Sequence, residues 1–572
     1  MMKKAIAVFL SAVLTAVLLS GCGGKDGTVS GGDKKNPITT ASSVVLAYCA
    51  NDSLNPYKCK TIQNRYLAGL LYDPLVKLSD KYVPEYCLAE SASVTEKACT
   101  VKLKSAKFSD GSPLTAADVV YSANLAINSD SYKSNLGNVS SVTESSGSVV
   151  FTLKSPDLNF LNLLDFPIIK NNTGDLTDNA NLELPPVGCG RYTFDKSEDK
   201  LVRRSDYHGT APVSETIGLT NIPDKEALKY AVTYGKISVW YDSEADNNAL
   251  IINGGTDVYT KNTLTYIGMN FEDSLLSRHE TRYMINAAFD RKALSEELKQ
   301  SFTVPAYGIF NPSWEAVSSL QSDNDSGRED VLVANSKEIG YNKKDSDGYF
   351  VSSSGKRLSF TLLYCNESAE KISLAETLKA AFAKSGIELV TKGLSFNDYA
   401  AALASGSFQL YLAQTRFKNN MDVSSVVCTY GSLAYGLKNS AAAKAAGGMS
   451  SGTASEASSA ASSTVAGASS SPSSSSSPSS SSPSSSADGV SQSDGKTEPA
   501  HTIMDTALAA YNRGDLDIYD VAGVFSLQLP VIPISYGCGV LSHASGITGT
   551  GSFSPSDPYL CISSCAASRQ TD

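Results

Sequence analysis

Residues 107–119 read Lys-Phe-Ser-Asp-Gly-Ser-Pro-Leu-Thr-Ala-Ala-Asp-Val, the most specific stretch in the chain. Its first half predicts a turn at Asp110 and Gly111, because glycine adopts positive φ without a steric penalty. Its second half predicts a helix start, because the Thr115 hydroxyl can cap and Asp118 stands where a capping box has Glu. We therefore expect a tight turn leading into a helix, which is a scaffold element rather than a ligand contact.

Short apolar runs and helical patterns alternate on both sides of this stretch. Residues 44–48 are apolar and typical of a buried strand. Residues 280–298 and 372–382 keep helical spacing, Gly386 ends the second helix, and residues 387–390 resume a strand. Helices between short apolar strands predict an α/β fold.

Further motifs accompany residues 107–119 in a fixed order along the chain. The series is similar to that of solute-binding protein family 5, the dipeptide- and oligopeptide-binding proteins of ABC importers. Residues 107–119 resemble that family's K-F-S-D-G-x-P-L-T-A-x-D-V signature. Upstream of this signature, Ala92 and Cys99 depart from the family pattern, since the family usually has aromatic side chains at these two positions. The other similar motifs lie at Leu54–Tyr57, Leu70–Val76, Leu88–Ser91, Val187–Tyr192, Tyr266–Asn270, Asn286–Arg291 and Leu529–Pro533.

The resemblance implies an α/β, two-lobed clamshell like that of periplasmic binding proteins (class II, three domains), with a ligand enclosed between the lobes. We expect residues 41–270 to form the first lobe, with 515–572 returning to it, and residues 271–514 to form the second. The two chain crossings are expected near Asn270 and between residues 500 and 520. The implied action is hinge closure on a ligand, without covalent chemistry.

The N-terminus has the layout of a secretory signal peptide. Two lysines precede an apolar run, Ala5–Leu19, which is shorter than the roughly 20 apolar residues of a comfortable membrane span. The run ends in Leu-Ser-Gly-Cys, which resembles a bacterial lipobox. We expect residues 1–21 to be a signal peptide, Cys22 to carry the lipid, and residues 22–40 to be a flexible tether. This layout predicts a lipid-anchored protein on the outer face of the cell membrane, which is the periplasmic side where an outer membrane exists.

One internal segment has a foreign composition. Residues 440–500 consist largely of Ser, Ala and Gly with scattered Pro. The segment lacks the apolar side chains that would offset the entropy cost of ordering it. We predict a disordered Ser-rich insertion in the second lobe, and a linker between independent domains is the alternative.

Charge and composition argue against several classes of ligand and partner. The net charge of −10 argues against a nucleic-acid partner. The four histidines are scattered and no C-x-x-C pair occurs, so we predict neither a metal site nor a cofactor. Ten cysteines follow Cys22, an even number that secretion allows to pair, although an anaerobic host would leave them reduced.

Three short motifs hint at other chemistry and are interpreted as chance matches. Residues 448–452 fit G-x-S-x-G, but they lie in the insertion rather than on a strand–turn–helix elbow. Residues 197–200 fit S-x-x-K without its partner motifs. Residues 345–348 suggest a calcium loop, but the required Glu is missing. The sequence therefore predicts a binding protein and not an enzyme.

The resemblance also suggests where a ligand would be held. Peptide-binding members of the family hold the ligand's α-amine with an aspartate that follows a tryptophan, just beyond a strand of the second lobe. Within residues 408–422 that tryptophan is absent, and the place of the aspartate falls on a positively charged stretch. Asp422 is the candidate for an amine and Arg416 for a carboxylate; a helix cap and a solvated arginine are the plain alternatives. Asn51 and Tyr430 are further candidates, for which turn and packing roles compete.

The predicted function is to capture a small solute and deliver it to the permease subunits of an ABC importer. A peptide is the first choice of solute. Nickel or another metal chelate stays open because some relatives of the family carry nickel or haem. A sugar stays open as well, although the chain has only two tryptophans, Trp240 and Trp314, for stacking. A ligand sensor outside transport is the last alternative.

Overall fold

The computed structural model describes residues 43–179, 181–243, 249–298, 302–320, 328–437 and 501–567. The predicted signal peptide, Cys22, the tether and the whole predicted insertion at 440–500 lie outside the described residues, as does the 448–452 motif. Helices and strands alternate along the described chain, which confirms the α/β class.

The described strands are short apart from two. In chain order they are β1 (Val45–Tyr48), β2 (Val76–Leu78), β3 (Pro84–Tyr86), β4 (Ala89–Val94), β5 (Ala98–Leu103), β6 (Val139–Ser145), β7 (Ser148–Leu153), β8 (Tyr192–Asp195), β9 (Lys200–Arg203), β10 (Thr216–Asn221), β11 (Val239–Asp242), β12 (Gly255–Met269), β13 (Thr303–Pro305), β14 (Lys343–Lys344), β15 (Phe350–Val351), β16 (Ser359–Cys365), β17 (Glu388–Leu394), β18 (Leu410–Arg416), β19 (Val531–His543), β20 (Ile547–Thr548) and β21 (Ala566–Ala567).

The described α-helices are mostly of two to four turns. In chain order they are α1 (Ile62–Leu71), α2 (Ala116–Asn128), α3 (Lys225–Thr233), α4 (His279–Ala287), α5 (Arg291–Glu297), α6 (Glu329–Glu338), α7 (Ala369–Lys384), α8 (Phe396–Ser405), α9 (Ser424–Val427), α10 (His501–Arg513) and α11 (Ile518–Gln528).

The first sheet has the strand order β1-β10-β9-β8. β1 runs parallel to β10, and the other neighbours are antiparallel. The strand expected at residues 44–48 is confirmed, with Leu46 and Ala47 fully buried. Helix α1 packs on β1 and β8. The C-terminal segment joins the same buried cluster through Ile547 and Tyr559.

A second, antiparallel sheet has the order β4-β5-β7-β6, and α2 packs against β6 and β7. The turn before α2 is as expected, with Gly111 at φ +81°. The cap is present too, because Asp118 Oδ2 accepts hydrogen bonds from the amide nitrogen (2.8 Å) and Oγ1 (2.6 Å) of Thr115. The other oxygen of Asp118 accepts from the amide of Asn171 at 2.8 Å. The carboxylate of Asp118 is thus fully used in hydrogen bonds that stabilise the scaffold.

The third sheet is mixed and has seven strands in the order β11-β19-β12-β18-β16-β17, with β13 paired to β19. Its two long strands, β12 and β19, pair antiparallel from Gly255 opposite His543 to Gly268 opposite Val531. Their register shifts between Thr260 and Leu264, so a bulge interrupts the ladder midway. The remaining strands form the two-stranded pairs β2-β3, β14-β15 and β20-β21.

The single helix expected over residues 280–298 is wrong, because two helices occupy that stretch. The first ends at Ala287, and Asp290 caps the second: its Oδ1 accepts from the amides of Lys292 (2.8 Å) and Ala293 (3.0 Å). An N-cap side chain in the middle of a helical pattern starts a new helix at that point. The helix and strand expected after residue 372 are confirmed as α7 and β17, separated by Gly386 at φ +80°.

Candidate functional site

Three of the four predicted site residues lie at the end of β18 and in the segment behind it. Arg416 is the last residue of β18 and pairs with Thr263 in β12. The amide of Phe417 then donates to the carbonyl of Asn262 at 2.8 Å, which holds the start of the loop against β12. The loop begins beside the bulge in the β12–β19 ladder, so it lies where the two long strands change register.

Arg416 has an exposed side chain with no hydrogen-bond partner among the described residues. Its positive charge acts on the buried side chains of Tyr82, Tyr241 and Asp165. An unpaired guanidinium is suited to a carboxylate, which it holds through two parallel hydrogen bonds. An exposed arginine without a described partner is also what a solvated surface residue would be, so both roles stay open.

Asp422 is half-buried, and its carboxylate bonds a residue two positions further along the chain. Its Oδ1 accepts hydrogen bonds from the amide nitrogen (3.0 Å) and Oγ (2.5 Å) of Ser424. This is the capping arrangement at the start of α9 that competed with a ligand role. The other carboxylate oxygen has no hydrogen-bond partner within the described ranges, so Asp422 still has one free acceptor.

Tyr430 and Asn51 lie apart from each other. Tyr430 is 66% exposed. Burial of its hydroxyl, together with Cys428 and Asp505, raises the pKa of Tyr430, and Asp422 contributes to the same shift. Asn51 is exposed in the turn after β1, on the first sheet. The structure thus brings Tyr430 near Asp422 and places Asn51 on a different sheet.

Sequence reasoning missed the residues that join the loop after β18 to the segment after β7. Asn419 donates from Nδ2 to Asp165 Oδ2 at 2.8 Å. Its neighbour Asn420 donates from Nδ2 to Asp157 Oδ2, also at 2.8 Å. Asp157, Asp165 and Asn420 are each less than a tenth exposed, so these bonds are largely shielded from water.

Two amides donate in the opposite direction. Asn162 Nδ2 donates to the carbonyl of Asn419 at 3.1 Å, and Asn159 Nδ2 donates to the carbonyl of Asn420 at 3.1 Å. Asn159 also bonds the hydroxyl of Tyr511 in α10 at 2.9 Å. We call the set formed by Asp157, Asn159, Asn162, Asp165, Asn419 and Asn420 the Asn–Asp clasp.

The two carboxyl groups of the clasp have raised pKa values. Burial raises the pKa of Asp157 to about 6, against the hydrogen bond from Asn420, and the nearby charge of Asp422 adds to the rise. Burial likewise raises the pKa of Asp165 to about 6, against the hydrogen bond from Asn419. A neutral carboxamide donor satisfies a buried carboxylate without supplying a compensating charge, so the charged form stays costly.

One cluster among the described residues has a metal-type donor set. The donor atoms of Asp73, Cys87 and His208 lie within 4.8 Å of one another. Both oxygens of Asp73 already have partners: Lys77 Nζ at 2.8 Å and His208 Nε2 at 2.8 Å. A buried ammonium beside the carboxylate opposes a further cation, so this cluster is a structural ion network rather than a candidate metal centre.

The two described motifs that hinted at other chemistry form turns. Ser197 lies between β8 and β9, and its Oγ donates to Asp195 Oδ1 at 2.6 Å. Asp345 bonds Arg357 through Oδ2 and Nε at 2.7 Å, so a guanidinium holds the acidic loop. Neither place offers a nucleophile with a base or an open calcium loop.

The ten cysteines among the described residues are all buried, and none forms a disulfide in this structure. Cys561 and Cys565 contact each other through their side chains. Across the described ranges, no helix combines the length and the apolar character needed to cross a membrane.

Comparisons with known proteins show what most of this chain is similar to. The sequence profile of the bacterial extracellular solute-binding proteins, family 5, matches residues 82–435. The oligopeptide-binding protein AppA of Bacillus subtilis is 26% identical over 420 residues, which cover 68% of this chain and 76% of AppA.

Solved structures share the fold. An ABC transporter substrate-binding protein from Sinorhizobium meliloti matches with a TM-score of 0.65 and 16% identity, covering 92% of this chain and all of that one. A nickel ABC transporter protein from Bacillus halodurans matches with a TM-score of 0.63, 16% identity and the same coverage. The predicted two-lobed α/β fold is therefore confirmed. The profile match spans more than half of the sequence, and the chain belongs to family 5 of the bacterial extracellular solute-binding proteins.

Proposed function

We propose that this solute-binding protein captures short peptides between its two lobes and delivers them to the permease subunits of an ABC importer. The observation that carries the proposal is the match over 420 residues to an oligopeptide-binding protein. Binding without catalysis also fits the site, where the described residues around Arg416 pair no nucleophile with a base.

The lobes are proposed to meet within the two long strands. The sequence predicted boundaries at residues 270 and 514, and we propose to move the crossings from there into β12 and β19. The bulge between Thr260 and Leu264 supports this placement, because an interrupted ladder bends more easily than a continuous one. Both crossings then lie side by side, as a hinge requires.

Arg416 is proposed to hold the peptide's carboxylate. Its guanidinium at the end of β18 has no partner within the described part of the chain, which supports this role, whereas one oxygen of Asp422 accepts from Ser424. Asp422, with its second oxygen, remains the candidate for the peptide's amine, and Tyr430 and Asn51 remain weaker candidates. The ligand is therefore expected to be anchored more by its C-terminus than by its N-terminus.

Calorimetry with di- to hexapeptides tests this assignment. C-terminal amidation is expected to weaken binding more than N-terminal acetylation, and Arg416→Gln should remove that difference. Arg328→Gln is the matched control, because Arg328 is an exposed arginine paired to Asp330. No binding by any peptide, together with binding of another solute, would overturn the peptide assignment.

A nickel chelate is the second candidate, favoured by the structural match to the Bacillus halodurans nickel transporter protein. The same calorimeter distinguishes the two ligands when nickel–histidine complexes replace peptides. Saturable binding of the complex without any peptide binding would favour this alternative.

The lipid anchor completes the proposal. We infer that residues 1–21 are removed, that Cys22 carries the lipid, and that the tether of residues 22–40 holds the lobes at the outer face of the membrane. The lipobox-like Leu-Ser-Gly-Cys sequence supports this. Two acyl chains on one cysteine anchor a protein more firmly than a single chain does.

A further inference from the structure

We propose that the Asn–Asp clasp locks the two lobes in the closed form, and that it holds more tightly in mildly acidic solution than at neutral pH. The inference rests on the proposed function to this extent: closure of the lobes is what retains the ligand. It names a regulation of that site and does not depend on which solute is bound.

The clasp joins two parts of the chain that belong to different sheets. Residues 157–165 follow β7 of the antiparallel sheet and include a short 3-10 helix, Phe160–Leu163. Residues 419 and 420 follow β18 of the seven-stranded sheet. Under the proposed lobe assignment the first segment belongs to the first lobe and the second to the second lobe, so separation of the lobes would break the clasp.

The bonding is reciprocal, which makes the clasp cooperative. Asn419 donates to Asp165 and accepts at its carbonyl from Asn162. Asn420 donates to Asp157 and accepts at its carbonyl from Asn159. Because each asparagine of the loop both donates and accepts, a small displacement costs several hydrogen bonds together. Such an arrangement favours two discrete states, joined or parted, over a continuous range.

Protonation is expected to favour the joined state. In this structure, which we take to represent the joined state, burial raises the pKa of Asp157 and Asp165 from 3.8 to about 6. Opening returns both carboxyl groups to water and to their ordinary pKa. The closed form therefore binds protons more tightly, and its advantage is lost as the pH rises from about 4 through about 6.

Other charged and titratable groups face the two carboxyl groups. Asp422 raises and Lys418 lowers the pKa of Asp157, while Arg416 lowers the pKa of Asp165. Further neighbours among the described residues are Tyr511 and Cys99 at Asp157, and Tyr132 and the hydroxyl of Ser556 at Asp165.

The size of the effect follows from the two pKa values. A shift from 3.8 to about 6 makes closure roughly tenfold more favourable at pH 5 than at pH 7 for each aspartate. Two aspartates acting independently would give on the order of a hundredfold. Coupling between them reduces that product, so the expected range is tenfold to a hundredfold.

Hydrogen exchange on the ligand-free, full-length protein measures this opening. After correction for the intrinsic pH dependence of exchange, protection of amides in residues 157–165 and 417–422 should be tenfold to a hundredfold greater at pH 5 than at pH 7. In the double variant Asp157→Asn/Asp165→Asn, protection should be high at both pH values, because the amide oxygens still accept hydrogen bonds and nothing titrates.

Two further variants separate this effect from general ones. Asp130→Asn replaces an exposed aspartate that is paired to Lys133 on the protein surface, and it should behave as the wild type does. The double variant Asn419→Ala/Asn420→Ala removes both donors and should lower protection at both pH values. A circular dichroism spectrum matching the wild type confirms that each variant is folded.

Equal protection at pH 5 and pH 7 in the wild type would overturn the inference. So would a pH dependence that persists in the Asp157→Asn/Asp165→Asn variant, because the titrating groups would then lie elsewhere. Since no ligand is present in this experiment, its failure leaves the peptide assignment untouched. Failure of the peptide screen leaves the clasp untouched in turn.

Discussion

The guanidinium of Arg191 donates to the carboxylate of Asp557 at 2.8 Å, and the two side chains are 2% and 5% exposed. The same nitrogen donates to the carbonyl of Gly69 in α1 at 3.0 Å. Although burial alone would lower the pKa of Arg191, Asp557 and Asp73 raise it above its ordinary value. One buried ion pair thus ties the C-terminal segment to the first sheet and to α1.

Asp557→Asn should destabilise the protein by about 3 kcal/mol, because it removes the only carboxylate that bonds the buried guanidinium directly among the described residues. Urea unfolding at pH 7 measures the loss. Asp515→Asn is the matched control: its partner Arg513 is exposed, so the expected loss is below about 1 kcal/mol. Equal small losses in the two variants would show that Arg191 finds another partner or water.

Gly190→Ala should be strongly destabilising for a different reason. A Cβ at Gly190 would lie 2.2 Å from the carbonyl carbon of Leu71 and 2.5 Å from the carbonyl oxygen of Leu70. Both are backbone atoms, so the strain of overpacking, typically about 1–3 kcal/mol, has no flexible side chain to relieve it. Gly308→Ala meets nothing within 4 Å and should leave the melting temperature unchanged. A Gly190→Ala protein that melts with the wild type would contradict the close approach.

Much of the fold was predictable because its signals are local. The residues that determine the turn at Gly111 and the cap at Thr115 and Asp118 lie within nine consecutive positions. The structure contains both the turn and the cap. The break at Asp290 was also written locally but was missed, because the apolar spacing continues across it. A prediction based only on apolar periodicity continues the helix through Asp290, although the side chain of Asp290 caps a new helix.

The clasp was beyond the reach of sequence reasoning. Asn419 and Asp165 are 254 residues apart, and Asn420 and Asp157 are 263 residues apart. Neither pair has a spacing or a neighbouring pattern that marks it, and asparagine in a loop ordinarily suggests a turn. Arg416 and Asp422 could be named as candidates because they lie at and just after the end of a recognisable strand. The local cap at Asp422 and the lack of a partner for Arg416 among the described residues became visible only with the hydrogen bonds.

Cys22 is expected to carry the lipid. Cells grown with radiolabelled palmitate should incorporate label into the wild-type protein and not into Cys22→Ala. Cys49→Ala is the control, because Cys49 is buried in the folded body and its loss should leave the labelling intact. Label in the Cys22→Ala protein at the wild-type level would contradict the lipobox interpretation.

Replacing residues 440–500 with a short Gly-Ser loop should preserve folding and ligand binding. The flanks support this, because Leu437 before the segment and Met504 after it are 2% and 0% exposed and belong to the same buried cluster. The composition of the segment offers few apolar side chains to that cluster. A shorter loop also has a smaller closure entropy, by roughly 0.6 kcal/mol for each halving of its length, so the melting temperature should stay equal or rise slightly. Differential scanning calorimetry and the peptide screen, run on both proteins, decide the matter. A fall of many degrees would show that the segment packs against the lobes, whereas an unchanged melt with lost binding would place it at the ligand site.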